Sequence, residues 1–223
     1  MSILMRFSGF LFLLILVLQI AMAAFGYILE PTAKHYETDY KLQNFNKDPN
    51  KFKIGVGLAL IEHFCVITLA ILLFLVISPY NILLGIVLIM FRGAEGAIQV
   101  YIEKDYWLLL KIAEEYSSVS GAERESLWDS YRSILKTKNS RFGFAMIGWS
   151  IGTLAFSIVL VTFEVAPFYI GWLGVATGIL IGFANGMRLL KPDVKAYEAV
   201  SSFSGLLAIV FEILIGGWLL FFV

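Results

Sequence analysis

The sequence predicts an all-α polytopic membrane protein with six transmembrane helices and an amphipathic helix on its cytoplasmic side. Hydrophobic residues make up 59% of the 223 residues, and charged residues make up 15%, against roughly a quarter in soluble domains. The charged residues are concentrated in a few connections. Between these connections lie six apolar segments, each at or near the length of about 20 residues that a helix needs to cross the hydrocarbon core.

The six segments follow one another in a single domain that covers residues 1–223. The first begins just after Arg6, the second after Lys53 and the fourth after Arg141, where a basic stretch gives way to apolar sequence. A turn at Pro79 separates the second from the third, and Pro167 opens the fifth, since proline suits the first turn of a helix. The predicted spans are residues 7–29, 54–78, 81–102, 142–162, 167–190 and 200–222.

The distribution of basic residues predicts the orientation in the cell membrane. Fifteen of the 17 lysine and arginine residues lie in or directly beside the connections 30–53, 103–141 and 191–199, whereas the opposite face has only Arg6. Basic residues favour cytoplasmic connections. We therefore expect these three large loops to be cytoplasmic and both termini to lie outside.

The longest connection contains the predicted amphipathic helix, residues 120–138. Ser120 and Glu123 have the spacing of a capping box at its start. Apolar residues then recur on one helical face, which predicts a helix on the membrane surface or against the bundle. These residues are Leu127, Trp128, Tyr131, Ile134 and Leu135.

Small residues predict the faces on which the helices pack, because helices in lipid associate through close backbone approach. In the fifth span, glycines recur every four residues, and the sixth span has two more on its small-residue face. These are Gly174, Gly178, Gly182, Gly186, Gly205 and Gly216. Packing within the chain is the first interpretation. A homo-oligomer, or contact with other membrane protein subunits, is the alternative.

The candidate functional residues are the polar residues inside the apolar segments, because placing polar and ionisable side chains at membrane depth costs free energy. They are Glu62 and His63 in the second span, Arg92, Glu95 and Gln99 in the third, and Glu212 in the sixth. Glu103 lies a further turn along the third span, and Gln19 lies in the first. Arg92 is three residues from Glu95, a spacing that favours an ion pair on a helix. Counting from the turn, we expect Glu62 and His63 to lie level with Glu95 and Gln99.

Four interpretations of this cluster stay open. It is a structural network that holds the bundle in register, a proton or cation relay, a pocket for a small polar or lipid headgroup ligand, or a metal site. A metal site would draw on Glu62, His63, Glu95 and Glu212. The sequence has no zinc-protease, phosphate-loop or serine-hydrolase motif. It therefore predicts no catalytic residue, cofactor or bound metal, and the net charge of zero predicts no nucleic acid partner.

Three short motifs resemble an uncharacterised family of six-span prokaryotic membrane proteins, a domain of unknown function. They are Arg6-Phe7-Ser8-Gly9, Phe91-Arg92-Gly93-Ala94-Glu95-Gly96-Ala97, and Pro167 before Ile170-Gly171-Trp172-Leu173-Gly174. The family pattern in the third span is Phe-Arg-x-x-Glu-Ala. The resemblance implies the six-span fold and singles out Arg92 and Glu95, but implies no activity. The chain departs from the pattern in its Lys- and Asn-rich loops and in lacking Arg after Pro167.

Three functions are compatible with these patterns. The first expectation is a non-catalytic accessory, scaffolding or assembly subunit that packs against other membrane proteins. The alternative is a small proton- or cation-coupled transporter or channel that uses the intramembrane Glu/Arg cluster. The second alternative is an intramembrane enzyme or a lipid or ligand sensor that uses the same residues.

Overall fold

A computed structural model describes residues 2–25, 48–191 and 194–223 of the chain. Within these residues it contains six helices and no strand, and all six helices are long and apolar enough to cross a membrane. The predicted all-α, six-span fold is confirmed. The helices are α1 (Ser2–Ala24), α2 (Pro49–Ile77), α3 (Ile82–Tyr116), α4 (Ala122–Thr162), α5 (Phe168–Leu190) and α6 (Lys195–Phe221).

Local sequence sets several of the helix ends. The Asp48 side chain accepts a hydrogen bond from the Lys51 amide at the start of α2, and Pro49 occupies the first turn. Asn81 caps α3 in the same way by accepting from the Leu84 amide. Such caps satisfy amides that have no partner inside the helix.

The six helices form a closed ring in which each helix packs against its neighbours in sequence and α1 packs against α6. The short turn between α2 and α3, residues 78–81, makes these two helices antiparallel, and the alternation continues around the ring. We call the end that carries this turn the turn end. The opposite end, where the predicted cytoplasmic connections lie, is the basic end.

Glycines close the ring between α1 and α6. A Cβ atom on Gly9 would lie 2.5 Å from the Leu220 amide nitrogen and 2.6 Å from the Gly216 carbonyl oxygen, so only glycine allows the two backbones to approach so closely. At the turn end of the same contact, Arg6 Nε donates a hydrogen bond to the Val223 carbonyl oxygen over 2.8 Å. The first and last helices are therefore joined directly.

The predicted amphipathic helix is present but is not a separate element. Residues 122–138 are the first part of α4, which runs without a break for 41 residues to Thr162. The capping box was wrong: Gly121, with a φ of 63°, is the N-cap residue, and no side chain caps the helix. The helix begins one residue later than the predicted box requires, so Ser120 lies outside it.

Helices α3 and α4 extend beyond their predicted spans at the basic end. At 1.5 Å per residue, the 35 residues of α3 and the 41 of α4 are roughly 52 and 62 Å long, against a hydrocarbon core of about 30 Å. The two extensions pack on each other and on α2. Tyr131 and Leu135 of α4 are buried in this cluster, and Leu127, Trp128 and Ile134 pack on it. The apolar face of the predicted amphipathic helix thus faces protein.

Some sequence predictions fall outside the described residues. The end of the first predicted span, residues 26–29, and most of the predicted loop 30–53 belong to the segment 26–47, which the structure does not describe. The positions of the predicted spans relative to a bilayer, and the side on which the termini lie, stay predictions.

We expect Gly9→Ala to destabilise the bundle, because the added methyl group would meet the backbone of α6. Overpacking of this kind costs about 1–3 kcal/mol. The measurement is the free energy of unfolding in mild detergent.

Gly217→Ala is the matched control, since a Cβ atom at Gly217 would meet nothing within 4 Å. An unchanged stability of Gly9→Ala relative to Gly217→Ala would contradict the close α1–α6 contact.

Candidate functional site

Buried charged side chains from three helices face the interior of the ring. We call this group the interior cluster, and each member is 8% exposed or less. It consists of Glu62, His63, Arg92, Glu95, Glu103 and Glu212. Five of these six residues were sequence candidates.

The imidazole of His63 bridges two carboxyl groups. Its Nδ1 lies 2.5 Å from Glu62 Oε2, and its Nε2 lies 2.9 Å from Glu103 Oε1. Each contact requires one hydrogen, so the three groups together hold two hydrogens between them. The ring is therefore either an imidazolium between two carboxylates or a neutral imidazole beside one protonated carboxyl.

The bridge extends to α1 through Gln19. Its Nε2 donates a hydrogen bond to Glu62 Oε1 over 3.1 Å. Both oxygens of Glu62 are therefore engaged, one by the amide of Gln19 and one by the ring of His63.

A second group forms around Arg92. Its Nη1 lies 2.8 Å from Glu95 Oε2, which is the ion pair that the spacing predicted. The contact lacks the geometry of a directed hydrogen bond. Gly152 of α4 makes room for the arginine, since a Cβ atom there would lie 2.5 Å from Arg92 Cγ. Gln99 makes a longer contact of 3.5 Å from its Nε2 to Glu95 Oε1.

Trp149 of α4 connects this group to α6. Its Nε1 donates a hydrogen bond to Glu212 Oε1 over 3.2 Å, and the guanidinium of Arg92 lies 5.8 Å from the centre of the indole ring. Glu95 is within electrostatic range of Arg92, Glu62 and Glu212. The two groups therefore form one electrostatically connected cluster.

The cluster contains more carboxyl groups than cations. Within the cluster, four glutamates lie beside one guanidinium and one imidazole, and Glu103 and the buried Lys138 each make further interactions. Uncompensated buried charge is costly in a medium of low dielectric constant. Any carboxyl group of the cluster that no cation neutralises is therefore expected to hold a proton.

Apolar side chains fill the interior on the turn-end side of Arg92. Phe12, Leu73, Leu88 and Phe211 belong to a continuous hydrophobic cluster there. A cavity beside Arg92, with room for about one water molecule, is also lined by Thr153 and Trp149. The interior is thus largely apolar on this side of the cluster.

The backbones of His63 and Glu95 lie at the same depth, as expected. The side-chain contacts are different, because His63 contacts Glu103 rather than Glu95 or Gln99. The His63 carbonyl oxygen lies 3.6 Å from the position of a Cβ atom on Gly96, near Glu95. Side chains lean towards the N-terminus of their helix, and α2 and α3 are antiparallel. His63 therefore leans towards the basic end and reaches Glu103, which leans towards it.

Two residues that take part in the site were not among the six candidates, although Glu103 was placed one turn further along the third span. Glu103 shares the face of Arg92, Glu95 and Gln99, but its place near the predicted end of the span hid its depth. Trp149 had no signal, because an indole in an apolar run looks like any core or interfacial aromatic residue.

The six candidate packing glycines divide into two sets. Cβ atoms on Gly174, Gly178 and Gly182 would collide with side chains of α4, and one on Gly216 would lie 2.9 Å from Phe12 Cβ. Cβ atoms on Gly186 and Gly205 would meet nothing within 4 Å. Much of the predicted glycine stripe is therefore used within the chain.

In the part of the chain that the structure describes, no three His, Cys, Asp or Glu side chains are arranged to hold a metal ion. The metal interpretation, which would join Glu62, His63, Glu95 and Glu212, has no support from this geometry. The bridge instead places each ring nitrogen of His63 against a carboxyl oxygen.

A family model described as "Domain of unknown function (DUF4386)" matches residues 7–222. The chain belongs to this family. The match confirms the resemblance drawn from the three motifs, and it spans all six helices of the ring. No curated protein and no solved structure gives a match to the chain. We therefore infer the function of this DUF4386 protein from the interior cluster.

We expect the effects of Arg92→Gln and Glu95→Gln on stability to be strongly non-additive. Removing Arg92 leaves buried carboxyl groups without their guanidinium, and breaking a buried pair costs about 3–5 kcal/mol. The double variant removes both charges and should lose much less than the sum of the two single variants. The measurement is a double-mutant cycle of unfolding free energies in detergent.

Lys136→Gln, which removes an exposed charge of α4, is the control and should change stability little. Single effects that add to within about 0.5 kcal/mol would contradict direct coupling between the two side chains.

Proposed function

We propose that this DUF4386 protein binds and moves protons within the membrane, as a small proton-coupled transporter. The observation that carries the proposal is the bridge Glu62–His63–Glu103 in the ring interior. Ionisable groups at membrane depth are costly and mark proton relays in pumps and transporters.

The bridge has the chemistry that a relay needs. When a proton arrives at Nδ1 from Glu62, the proton on Nε2 can leave to Glu103. The O–H bond of Glu62 breaks as the N–H bond at Nδ1 forms, and the N–H bond at Nε2 breaks as an O–H bond forms on Glu103, so the total charge of the three groups does not change. A histidine suits this role because its ring carries a proton site on each side.

The surroundings of the bridge supply further proton sites. The groups that face it or lie within electrostatic range include Gln19 of α1, Arg92 and Glu95 of α3, and Glu212 of α6 with its donor Trp149 of α4. Four carboxyl groups and one imidazole give the cluster several groups that can take up and release protons.

The apolar interior at the turn end favours a transporter over an open channel. Phe12, Leu73 and Leu88 belong to the hydrophobic cluster on that side of Arg92, so a proton held by the interior cluster meets a barrier there. Release on the other side then requires a rearrangement of the helices, which is how transporters couple proton binding to movement.

The test is proton flux into liposomes that contain the purified protein, a pH-sensitive dye and an imposed pH gradient. The wild-type protein should dissipate the gradient faster than protein-free liposomes. His63→Gln should bring the rate back towards that of protein-free liposomes, because the amide cannot accept and release a proton.

Glu114→Gln is the matched control, since Glu114 is an exposed carboxylate on the same helix as Glu103. It should leave the rate unchanged. Equal rates for wild-type and His63→Gln, with both proteins folded, would contradict the relay. A wild-type rate equal to that of empty liposomes would contradict proton movement altogether.

An accessory or assembly role is the second candidate, favoured by the two open glycines. Arg188 Nη1 donates to Ser201 Oγ over 3.4 Å, which places the basic-end parts of α5 and α6 side by side. Gly186 and Gly205 lie close in sequence to this contact and have open space at their Cβ positions. Two small residues on neighbouring helices suit close approach of a helix from another subunit or from a second copy.

Large side chains at Gly186 and Gly205 should release a subunit that packs there. Gly186→Leu with Gly205→Leu is expected to shift the protein from a larger assembly to a smaller one, measured by mass after mild extraction from native membranes. Gly57→Leu is the control, because its Cβ position is also open but lies on α2. A wild-type protein that is extracted alone would count against this role.

A further inference from the structure

Two cations of α3 and α4 converge on one exposed aromatic ring at the basic end. Lys104 Nζ lies 3.6 Å from the centre of the Tyr101 ring, and Arg141 Cζ lies 5.0 Å from the same centre. Tyr101 is 52% exposed. We call Tyr101, Lys104 and Arg141 the boundary patch.

The boundary patch lies where the apolar parts of both helices end. Lys104 is the first basic residue of α3 after Arg92, and Arg141 is the last charged residue of α4 before the apolar run to Thr162. Exposed aromatic and apolar residues continue on both helices, with Trp107 at 43% and Phe144 at 56% exposure. Aromatic residues beside lysine and arginine are typical of the level of lipid headgroups.

The charge of the boundary patch favours an anion. Arg141 Nη1 forms an ion pair with Asp105, whose side chain is buried. This pair holds the guanidinium beside Tyr101, while the arginine side chain stays 29% exposed. Two cations against one carboxylate leave one positive charge in excess at this surface, with N–H groups available for a phosphate.

An apolar stripe leads from the boundary patch towards the turn end. Met90, Ala94 and Ala97 are exposed and share one face of α3 with Tyr101 and Lys104, since the spacings are four, three, four and three residues. The small side chains of the two alanines allow an acyl chain to lie close to the helix. An acyl chain that lay along this stripe would bring its headgroup to Lys104 and Arg141.

We propose that the boundary patch and this stripe bind an anionic phospholipid, with its phosphate between Lys104 and Arg141 and an acyl chain along α3. A soluble anion would use the cations but not the stripe. A neutral phospholipid would use the stripe but would gain less from the excess positive charge. The boundary patch shares no residue with the interior cluster, so this proposal does not depend on the proposed proton relay.

The experiment compares retention of phosphatidylglycerol and phosphatidylcholine by the full-length protein, measured by native mass spectrometry from mild detergent. The wild-type protein should retain phosphatidylglycerol in preference. Lys104→Gln should weaken this retention about fivefold, the effect expected for one cation near an anionic headgroup. Lys104→Arg should restore it.

Lys136→Gln is the matched control, because it removes an exposed lysine of α4 outside the boundary patch, and it should retain phosphatidylglycerol like the wild type. Arg141→Gln removes the second cation and should also weaken retention, but it breaks the ion pair with Asp105 as well. Lys104→Gln leaves that ion pair intact, so it is the cleaner test of the positive charge. Equal retention by Lys104→Gln and Lys136→Gln would overturn the proposal. Displacement of the lipid by inorganic phosphate would also overturn it, since it would show a soluble-anion site.

Discussion

The close contact between α1 and α6 at Gly9 and Gly216 is the constraint on which the rest of the structure depends. It converts a row of six neighbouring helices into a ring with an inside. Without that closure, Gln19 and Glu212 would border an open groove rather than a shared interior. Hydrocarbon offers polar groups no hydrogen bonds, so the interior cluster is tolerable only because the ring encloses it.

Enclosure also explains how a single arginine fits beside so many carboxyl groups. Gly152 gives Arg92 space against α4, and Trp149 of the same helix satisfies Glu212. Helix α4 therefore supplies the small residue and the donor, although it contributes no member of the interior cluster. Polar groups buried in a dry interior need every such partner.

The sequence was sufficient for the six helices and their polar candidates, because hydropathy and the cost of buried charge are both local signals. It identified the Arg92–Glu95 pair from spacing within one helix. It did not identify the bridge of His63 to Glu103, which depends on the lean of side chains from two antiparallel helices. The continuity of α4 was missed for a related reason. The sequence predicts a helix over 120–138 and a separate span over 142–162, because the charged residues end at Arg141 where the apolar run begins, and only the structure joins them into one helix packed on α3.

The unbroken length of α4 has a mechanical consequence. Helix α4 runs for 41 residues without a break or a proline, a common cause of sharp kinks, so its two halves are expected to tilt together. Trp149 and Gly152 lie in the inner half of the helix, and Tyr131 and Leu135 lie in its half at the basic end. A force on the half at the basic end would therefore act as on a lever, turning a displacement there into an altered spacing at Arg92 and Glu212.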